Sequence, residues 1–394
     1  MKILHTGDWH LGHTLYNYDR IEEQADFLSQ IENIVAESQP DAMIVSGDIY
    51  HYASPSTTAQ TLYCEYMLRI HQACPAMQII VTAGNHDSAS KLMVDSRLWK
   101  HFNLVTIGSI HPESYDEYII PIVRQHNTIG YVVAFPFAYP RFLPDNFFAD
   151  VLDYLHQKNE EHLPVVVAAH LAVTDSDYSC HNNIGTLDCV NADIFGQYYD
   201  YLALGHIHRA QTLPHSPTIR YSGTPIGINF DEDIQKKTSE TYLHSVSMIE
   251  CINNNTMVRT KEITSLRPLI TLPDQATDFA TAIQALRNFP EDKQAYIRLN
   301  VLIKDFLPYN ANMLANEACR DKACRFCYIH TSRQEQETDA GNSGQMTIET
   351  FQQENYLDIA RQHYQNVYRA PLPRYMEDAL IELYTDLTRE NAEL

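Results

Sequence analysis

Five short apolar runs in the first part of the chain each end on side chains that bind hard or borderline metal ions. Ile3-Leu4 leads to Asp8 and His10, Met43-Ile44-Val45 to Asp48, and Gln78-Ile79-Ile80-Val81 to Asn85, His86 and Asp87. Val165-Val166-Val167-Ala168 leads to His170, and Tyr201-Leu202-Ala203-Leu204 to His206 and His208. Carboxylates, imidazoles and one carboxamide, with no thiolate, suit Mn²⁺, Fe or Zn²⁺ rather than Ca²⁺. Asp8, His10, Asp48, Asn85, His170, His206 and His208 exceed the four protein ligands of a single structural site. Two cations fit them better, with a carboxylate such as Asp48 bridging metals about 3.5 to 4 Å apart. Such a pair lowers the pKa of a water and clamps the attacking and leaving oxygens of a phosphate, which is the chemistry of phosphoester hydrolysis. Any one of these residues alone reads equally well as a polar loop end. Asp-x-His, Gly-Asp, Gly-Asn-His-Asp, a strand-terminal His and Gly-His-x-His, each behind an apolar run, do not.

The elements that must position these groups follow from periodicity. The five runs are too short for helices and rich in branched residues, so they read as buried strands. In an open α/β sheet ligands gather at the carboxyl ends of strands, where all five runs terminate. Asp8 and His10 are two apart, as are His206 and His208, so in extended chain each pair points to one side. Gly47, Gly84 and Gly205 are expected to bend the backbone tightly at the ligands. Ile21, Leu28, Ile31 and Val35 recur at helical spacing, and Ser54-Pro55 is the expected start of a second helix through Leu62, Met67 and Ile70. Strands Thr241 to Glu250 and Met257 to Ile263 are expected to form a hairpin around Asn253-Asn254-Asn255. A boundary falls near Arg267-Pro268, dividing a catalytic domain, 1–266, from a smaller unit, 267–333. In the latter, Ala295 to Lys304, a helix near Tyr309 to Ala318 and Cys324 to His330 read as strand, helix, strand. A polar linker, 334–346, leads to a helical segment, 347–394, with amphipathic helices Thr347 to Gln365 and Arg374 to Glu390 either side of Pro371 and Pro373.

Bulk properties narrow the class. A chain of 394 residues supports more than one domain, since single cores stop growing at roughly 250 to 300 residues. Its 44% hydrophobic and 20% charged residues are those of a folded globular protein, and no run approaches the roughly 18 apolar residues of a membrane span. No membrane association is expected, and the start has no export signal, so the cytoplasm is the expected location. A formal charge of −22 argues against holding nucleic acid by a broad basic surface. The eight cysteines are expected to be reduced; Cys319, Cys324, Cys327 and His330 have ligand-like spacing, although their alternation reads more simply as a strand.

At these residues the chain resembles the calcineurin-type metallophosphoesterases and, within them, the bacterial SbcD-type exonuclease subunits of the double-strand-break-repair nucleases. The likeness is carried by Met1-Lys2-Ile3-Leu4-His5-Thr6-Gly7-Asp8-Trp9-His10-Leu11-Gly12, Ile184-Gly185-Thr186-Leu187-Asp188 and Tyr201 to Ala210. Tyr221-Ser222-Gly223-Thr224-Pro225-Ile226 and Phe230-Asp231-Glu232 extend it. The metal motifs alone specify only the superfamily. The resemblance is strong to about Asp233 and holds beyond it only in order and length.

That resemblance implies an α/β metallophosphoesterase β-sandwich flanked by helices, a small α+β capping domain for DNA recognition, and C-terminal helices. It implies one cation on Asp8, His10, Asp48 and His208 and another on Asp48, Asn85, His170 and His206, with Mn²⁺ the expected metal. His86 would then stabilise the transition state or protonate the leaving oxygen, Asp87 would orient it, and His51 is the candidate for a second catalytic histidine. It also implies an SbcC-like ATPase partner gripped by the terminal helices, and a homodimer of nuclease subunits within a heterotetramer. DNA ends and hairpins would be the substrates, processed by ATP-dependent double-strand exonuclease and single-strand endonuclease activity in recombination and repair. Lys91, Arg97, Lys100, Arg141 and Arg209 flank the motifs as phosphate contacts or simply solvated cations. The same scaffold also serves small-molecule phosphatases and phosphodiesterases, and a non-catalytic scaffold is the reading from a different class; intact Asp8, Asp48, Asn85 and His86 argue against the latter.

Overall fold

Val165–His170, with sequence VVVAAH, is buried at every residue, as is Ala42–Ser46, with sequence AMIVS. Near-continuous apolar strands of this kind lie in parallel sheets covered on both faces. The computed structural model describes residues 1–177, 189–232, 243–252, 255–304 and 306–333, with 361, 364, 371–374, 376 and 377. Cys180, segment 184–188, the linker at 334–346 and nearly all of 347–394 lie outside the described residues. The chain divides into a unit Met1–Gln334 and a unit Glu335–Leu394. In the second, Arg361 Nε lies 2.6 Å from Glu377 Oε1.

Two six-stranded sheets replace the single open sheet that the strand endings alone suggested, in agreement with the β-sandwich that the resemblance implied. The first runs in the order Asn255–Glu262, Ser245–Ile252, Lys2–Thr6, Ala42–Ser46, Gln78–Thr82, Leu104–Ile107. Its last four strands are mutually parallel, while Ser245–Ile252 is antiparallel to Lys2–Thr6 and forms the expected hairpin with Asn255–Glu262. The second runs Gln211–Leu213, Ser216–Tyr221, Tyr201–Gly205, Val165–His170, Asn127–Phe135, Ile119–Arg124. Ile3, Ile44 and Ile80 from one sheet meet Val132, Val166, Ala168 and Ala203 from the other in a core between them.

Period-two alternation sends the remaining strand residues outward, where helices cover them. Leu4, Met43, Val45 and Val81 pack under Phe27, Leu28, Ile31 and Val35 of helix Ile21–Ser38 and Met67 and Ile70 of helix Thr57–Ala73. Ser56 caps this second helix through its side chain, accepting from Ala59 N at 3.2 Å. The expected start at Ser54-Pro55 is therefore two residues early; the serine after the proline supplies the cap. Val133, Phe135, Val167 and Ala169 pack against Phe147, Phe148, Val151 and Leu155 of helix Phe147–Lys158. Among the described residues no helix is long and apolar enough to cross a membrane.

Beyond the hairpin, Leu269–Thr277, Tyr296–Ile303 and Arg325–Arg333 form an all-parallel three-stranded sheet. Helices Phe279–Arg287 and Ala311–Cys319 cover one face around Ile283, Leu286, Ile297, Leu299 and Phe326. This unit thus begins one strand and one helix earlier than the strand-helix-strand expected. Its other face sets Tyr296 against Leu15 and Phe230, and Tyr296 Oη donates to buried Glu23 Oε1 at 2.7 Å. Cys319 and Cys324 sulfurs lie 3.6 Å apart. Among the described residues, groups of three or more convergent ligand atoms occur only around the residues of the next section, so the cysteines and His330 do not form a zinc tetrad.

Candidate metal centre

The carboxyl ends of the first three strands lie in one sheet and those of the last two in the other, and the loops that follow meet across the top of the sandwich. Asp8, His10, Asp48 and His206 have φ of 52°, 46°, 50° and 97°. L-residues held there cost of order 1 to 3 kcal/mol each and persist only where the surroundings over-determine them. Backbone bonds supply that hold: Asp8 N donates to Gly47 O at 2.9 Å, His10 N to Asp48 O at 3.0 Å and Leu11 N to Ile49 O at 2.9 Å. The first two loops are zipped together, turning Asp8, His10 and Asp48 to one side.

Each buried carboxylate keeps one oxygen for the backbone and presents the other. Asp8 Oδ1 accepts from His206 N and Asp48 Oδ1 from His86 N, both at 2.9 Å. Asp8 Oδ2 is buried with no hydrogen-bond partner among the described residues. Asp48 Oδ2 lies 3.6 Å from His10 Nε2 and 3.5 Å from His170 Nε2. The histidines are oriented from behind. His170 Nδ1 donates to Ser46 O at 2.8 Å, leaving Nε2 3.1 Å from Asn85 Oδ1. His208 Nδ1 donates to Glu232 Oε1 at 2.8 Å, leaving Nε2 3.2 Å from His10 Nε2. His206 Nδ1 is 2.9 Å from Asn85 Oδ1. All seven expected ligands therefore converge, in two groups that touch at Asp48.

The electrostatics are those of a site made for positive charge. Burial pushes Asp8 up to about 6, against His170 and His208. Asp48, despite burial, is held well below the ordinary carboxylate range by His170 and then His10. His170, despite burial, is raised to about 9 by Asp48 and Asp8, whereas burial drives His10 well below the ordinary imidazole range. Protons thus stand in for cations: dications among these groups would keep the carboxylates ionised and the ligating nitrogens free of protons. An unpartnered buried oxygen, Asn85 Oδ1 against two ring nitrogens, and two Nε2 atoms face to face fit two divalent cations.

Gly47 and Gly84 are needed for space as much as for bending. A Cβ on Gly84 would lie 2.1 Å from Asp48 Oδ1, and one on Gly47, whose φ is 84°, 2.1 Å from His170 Nδ1. Gly84 has no left-handed backbone, so its reason is close approach and not the tight bend expected for it.

The expected catalytic residues are all present, with one change of role. His86 Nδ1 donates to His51 O at 2.8 Å, and its ring stands edge-on to His10 at 4.9 Å. Asp87 does not orient His86. Its Oδ2 accepts from Gly84 N at 2.9 Å and Ile49 N at 3.1 Å, and its Oδ1 from Tyr50 N at 2.9 Å, so it ties the Asp48 loop to its own turn. Burial and Asp48 push Asp87 up to about 7, against those three donors. The His51 ring stacks on His86 at 5.3 Å and 25°, with Nδ1 3.3 Å from His10 Nδ1. Burial and His86 lower His51 to about 4, which leaves it a neutral ring able to accept from His10. Glu232 is the functional carboxylate that sequence reasoning left without a role. It is fully buried and also accepts from Ile228 N at 2.8 Å. Arg209 is no phosphate contact: it is buried and pairs with Asp177 Oδ2 at 2.9 Å. Lys91 Nζ donates to Ser54 Oγ at 2.6 Å.

Residues 1–210 match the family model for calcineurin-like phosphoesterase. The chain is 28% identical over 331 residues to the SbcD component of nuclease SbcCD from Escherichia coli K12, covering 78% of this chain and 79% of that protein. It is 28% identical over 303 residues to the component of the same name from Rhodobacter capsulatus, covering 70% and 73%. The Bacillus subtilis counterpart is 32% identical over 257 residues, covering 59% and 63%.

Proposed function

The chain belongs to the calcineurin-like phosphoesterase family, and from that premise we propose that it is the nuclease subunit of an SbcCD-type complex, hydrolysing DNA phosphodiesters with two divalent cations. The observation that carries this is the buried, unpartnered Asp8 Oδ2, set among imidazoles whose other nitrogens are committed to Ser46 O and Glu232. Asp8, His10, Asp48 and His208 hold one cation; Asp48, Asn85, His170 and His206 hold the other; manganese suits this oxygen and nitrogen set. When bound, such a pair supplies Lewis-acid polarisation of the phosphate and a water of lowered pKa. His86, pinned through Nδ1, keeps Nε2 to donate a proton to the leaving oxygen. His51 positions both His10 and His86.

The relatives' name supports a partner, an SbcC-like ATPase, with DNA ends and hairpins as substrates and two nuclease subunits in a heterotetramer. On this reading 1–266 is the nuclease domain, 267–333 caps it and recognises DNA, 334–346 is a linker and 347–394 binds the ATPase, in the cytoplasm, for recombination and repair. The acidic chain fits a complex whose basic DNA track lies mainly on the partner. Release of nucleotides from linear duplex and hairpin DNA should require Mn²⁺, and duplex degradation should require ATPase and ATP as well. Hydrolysis of bis(p-nitrophenyl) phosphate with no action on any DNA would overturn the proposal in favour of a small-molecule phosphodiesterase.

A further inference from the structure

Exposed aromatic side chains line one rim of the candidate metal centre. After strand Asn127–Phe135 the chain reads Pro136-Phe137-Ala138-Tyr139-Pro140-Arg141-Phe142. Phe137 N donates to Ala83 O at 2.7 Å, which fixes this segment beside the turn carrying Asn85. The Phe137 ring lies 6.1 Å from His170 and 6.4 Å from His206. From there the rings step outward: Phe137 to Tyr139 at 5.0 Å, then Tyr139 to Phe142 at 6.0 Å. The Arg141 guanidinium stands over both outer rings, 4.9 Å from Tyr139 and 5.0 Å from Phe142. Tyr139 is 46% exposed and Phe142 74%.

A single exposed aromatic needs no explanation. Three rings in series, interleaved with an arginine and leading from the ligands outward, form a contiguous surface with a polar, cationic edge. On the other side of the site Tyr52, 54% exposed, stands edge-on to His51 at 4.6 Å. A chain of net charge −22 gains little from general phosphate attraction, whereas stacking on an aromatic face does not depend on net charge and strengthens binding roughly tenfold or more per base.

We infer that Tyr139, Arg141 and Phe142, continuing outward from Phe137, are a stacking platform for the unpaired nucleobases of a DNA strand whose backbone enters the metal centre. The inference rests on the nuclease reading above. Bases inside a duplex have their faces covered by their neighbours, so the platform favours single strands, frayed ends and hairpin loops, and is tolerant of sequence because every base has a π-face.

Binding of a single-stranded oligonucleotide carrying 2-aminopurine, measured by fluorescence quenching in EDTA so that nothing is cut, tests this against an abasic strand of equal length. The full chain should bind the intact strand about tenfold or more tightly than the abasic one. Tyr139→Ala with Phe142→Ala should erase that preference, while Tyr139→Phe with Phe142→Tyr should retain it. A wild type without the preference, or an alanine variant that keeps it, overturns the inference. Parallel Mn²⁺ assays on the wild type separate the two readings. Cleavage of the oligonucleotide alongside an unaltered preference in the alanine variant removes this inference alone, whereas cleavage of bis(p-nitrophenyl) phosphate and no DNA removes both.

Discussion

His86 and His10 are both oriented through His51, one by its carbonyl and the other by its ring. Because His86 makes this bond from Nδ1 and contributes no atom to the two ligand sets, His86→Gln should leave metal content near wild type. The loss of proton donation should lower the rate of DNA hydrolysis by roughly 10² to 10⁴. Elemental analysis beside the nuclease assay decides it, and parallel loss of metal and activity would show that His86 is a ligand. Glu232 acts one bond further back. A carboxylate behind a ligating histidine fixes its tautomer and raises its basicity, and its loss typically weakens metal binding 10- to 100-fold. Glu232→Gln should therefore weaken one of two sequential Mn²⁺ isotherms by about that factor and leave the other, on the Asn85 side, within error. Two equally weakened sites would argue for general disruption. At this scale all seven candidate ligands were legible, because each stands at the end of an apolar run with a recognisable spacing. Glu232 and the true partner of Asp87 were not: both act through contacts between loops distant in sequence, and nothing in Phe-Asp-Glu or Asn-His-Asp states which backbone groups will face them.

At the scale of elements, the turn after strand Gln78–Thr82 does three things in four residues. Gly84 passes over Asp48, Asn85 reaches the His170 and His206 side, and Asp87 reaches back to bind the Asp48 loop. Gly84→Ala would put a Cβ 2.1 Å from Asp48 Oδ1 and 2.2 Å from its amide nitrogen, contacts that cannot both relax without moving the bridging carboxylate. We expect Mn²⁺ binding measured by calorimetry to collapse at both sites, with about 1 to 3 kcal/mol of stability lost in thermal unfolding. Retention of both sites would mean that the turn can shift as a body. The strands that bear ligands were readable because they are short, branched and buried on both faces. Asn127–Phe135 escaped because Gly130 and polar residues break its first half, and Leu269–Thr277 because Pro273 interrupts a segment that tertiary pairing nonetheless holds in a sheet.

On the scale of the whole molecule, the three-stranded unit is wired to the metal centre by polar contacts. Arg298 Nη1 lies 2.8 Å from Asp231 Oδ1, next to Glu232, and Arg267 bonds Glu22 at 2.8 Å on the helix whose Glu23 accepts from Tyr296. This gives the unit 267–333 a physical route to the His208 side of the site, and it belongs with the sandwich in the unit Met1–Gln334. The residues after it have another character in sequence. Ile348, Phe351, Leu357 and Ile359, then Met376, Leu380, Leu383, Tyr384 and Leu387, recur at helical spacing and make apolar faces that need a surface to bury against. On the proposed function that surface is the coiled-coil base of the ATPase, bound helix in groove. Docking on the chain's own domain is the alternative. Ending the chain at Gly344 removes these faces and none of the candidate ligands, the sheets or the stacking segment. Thermal unfolding and Mn²⁺-dependent cleavage of single-stranded DNA should remain close to wild type, while pull-down of the ATPase subunit and ATP-dependent duplex degradation are lost. If the shortened chain still captures the ATPase, the binding surface lies within the first 334 residues; if it unfolds or cannot cut single strands, the terminal faces serve the nuclease fold itself.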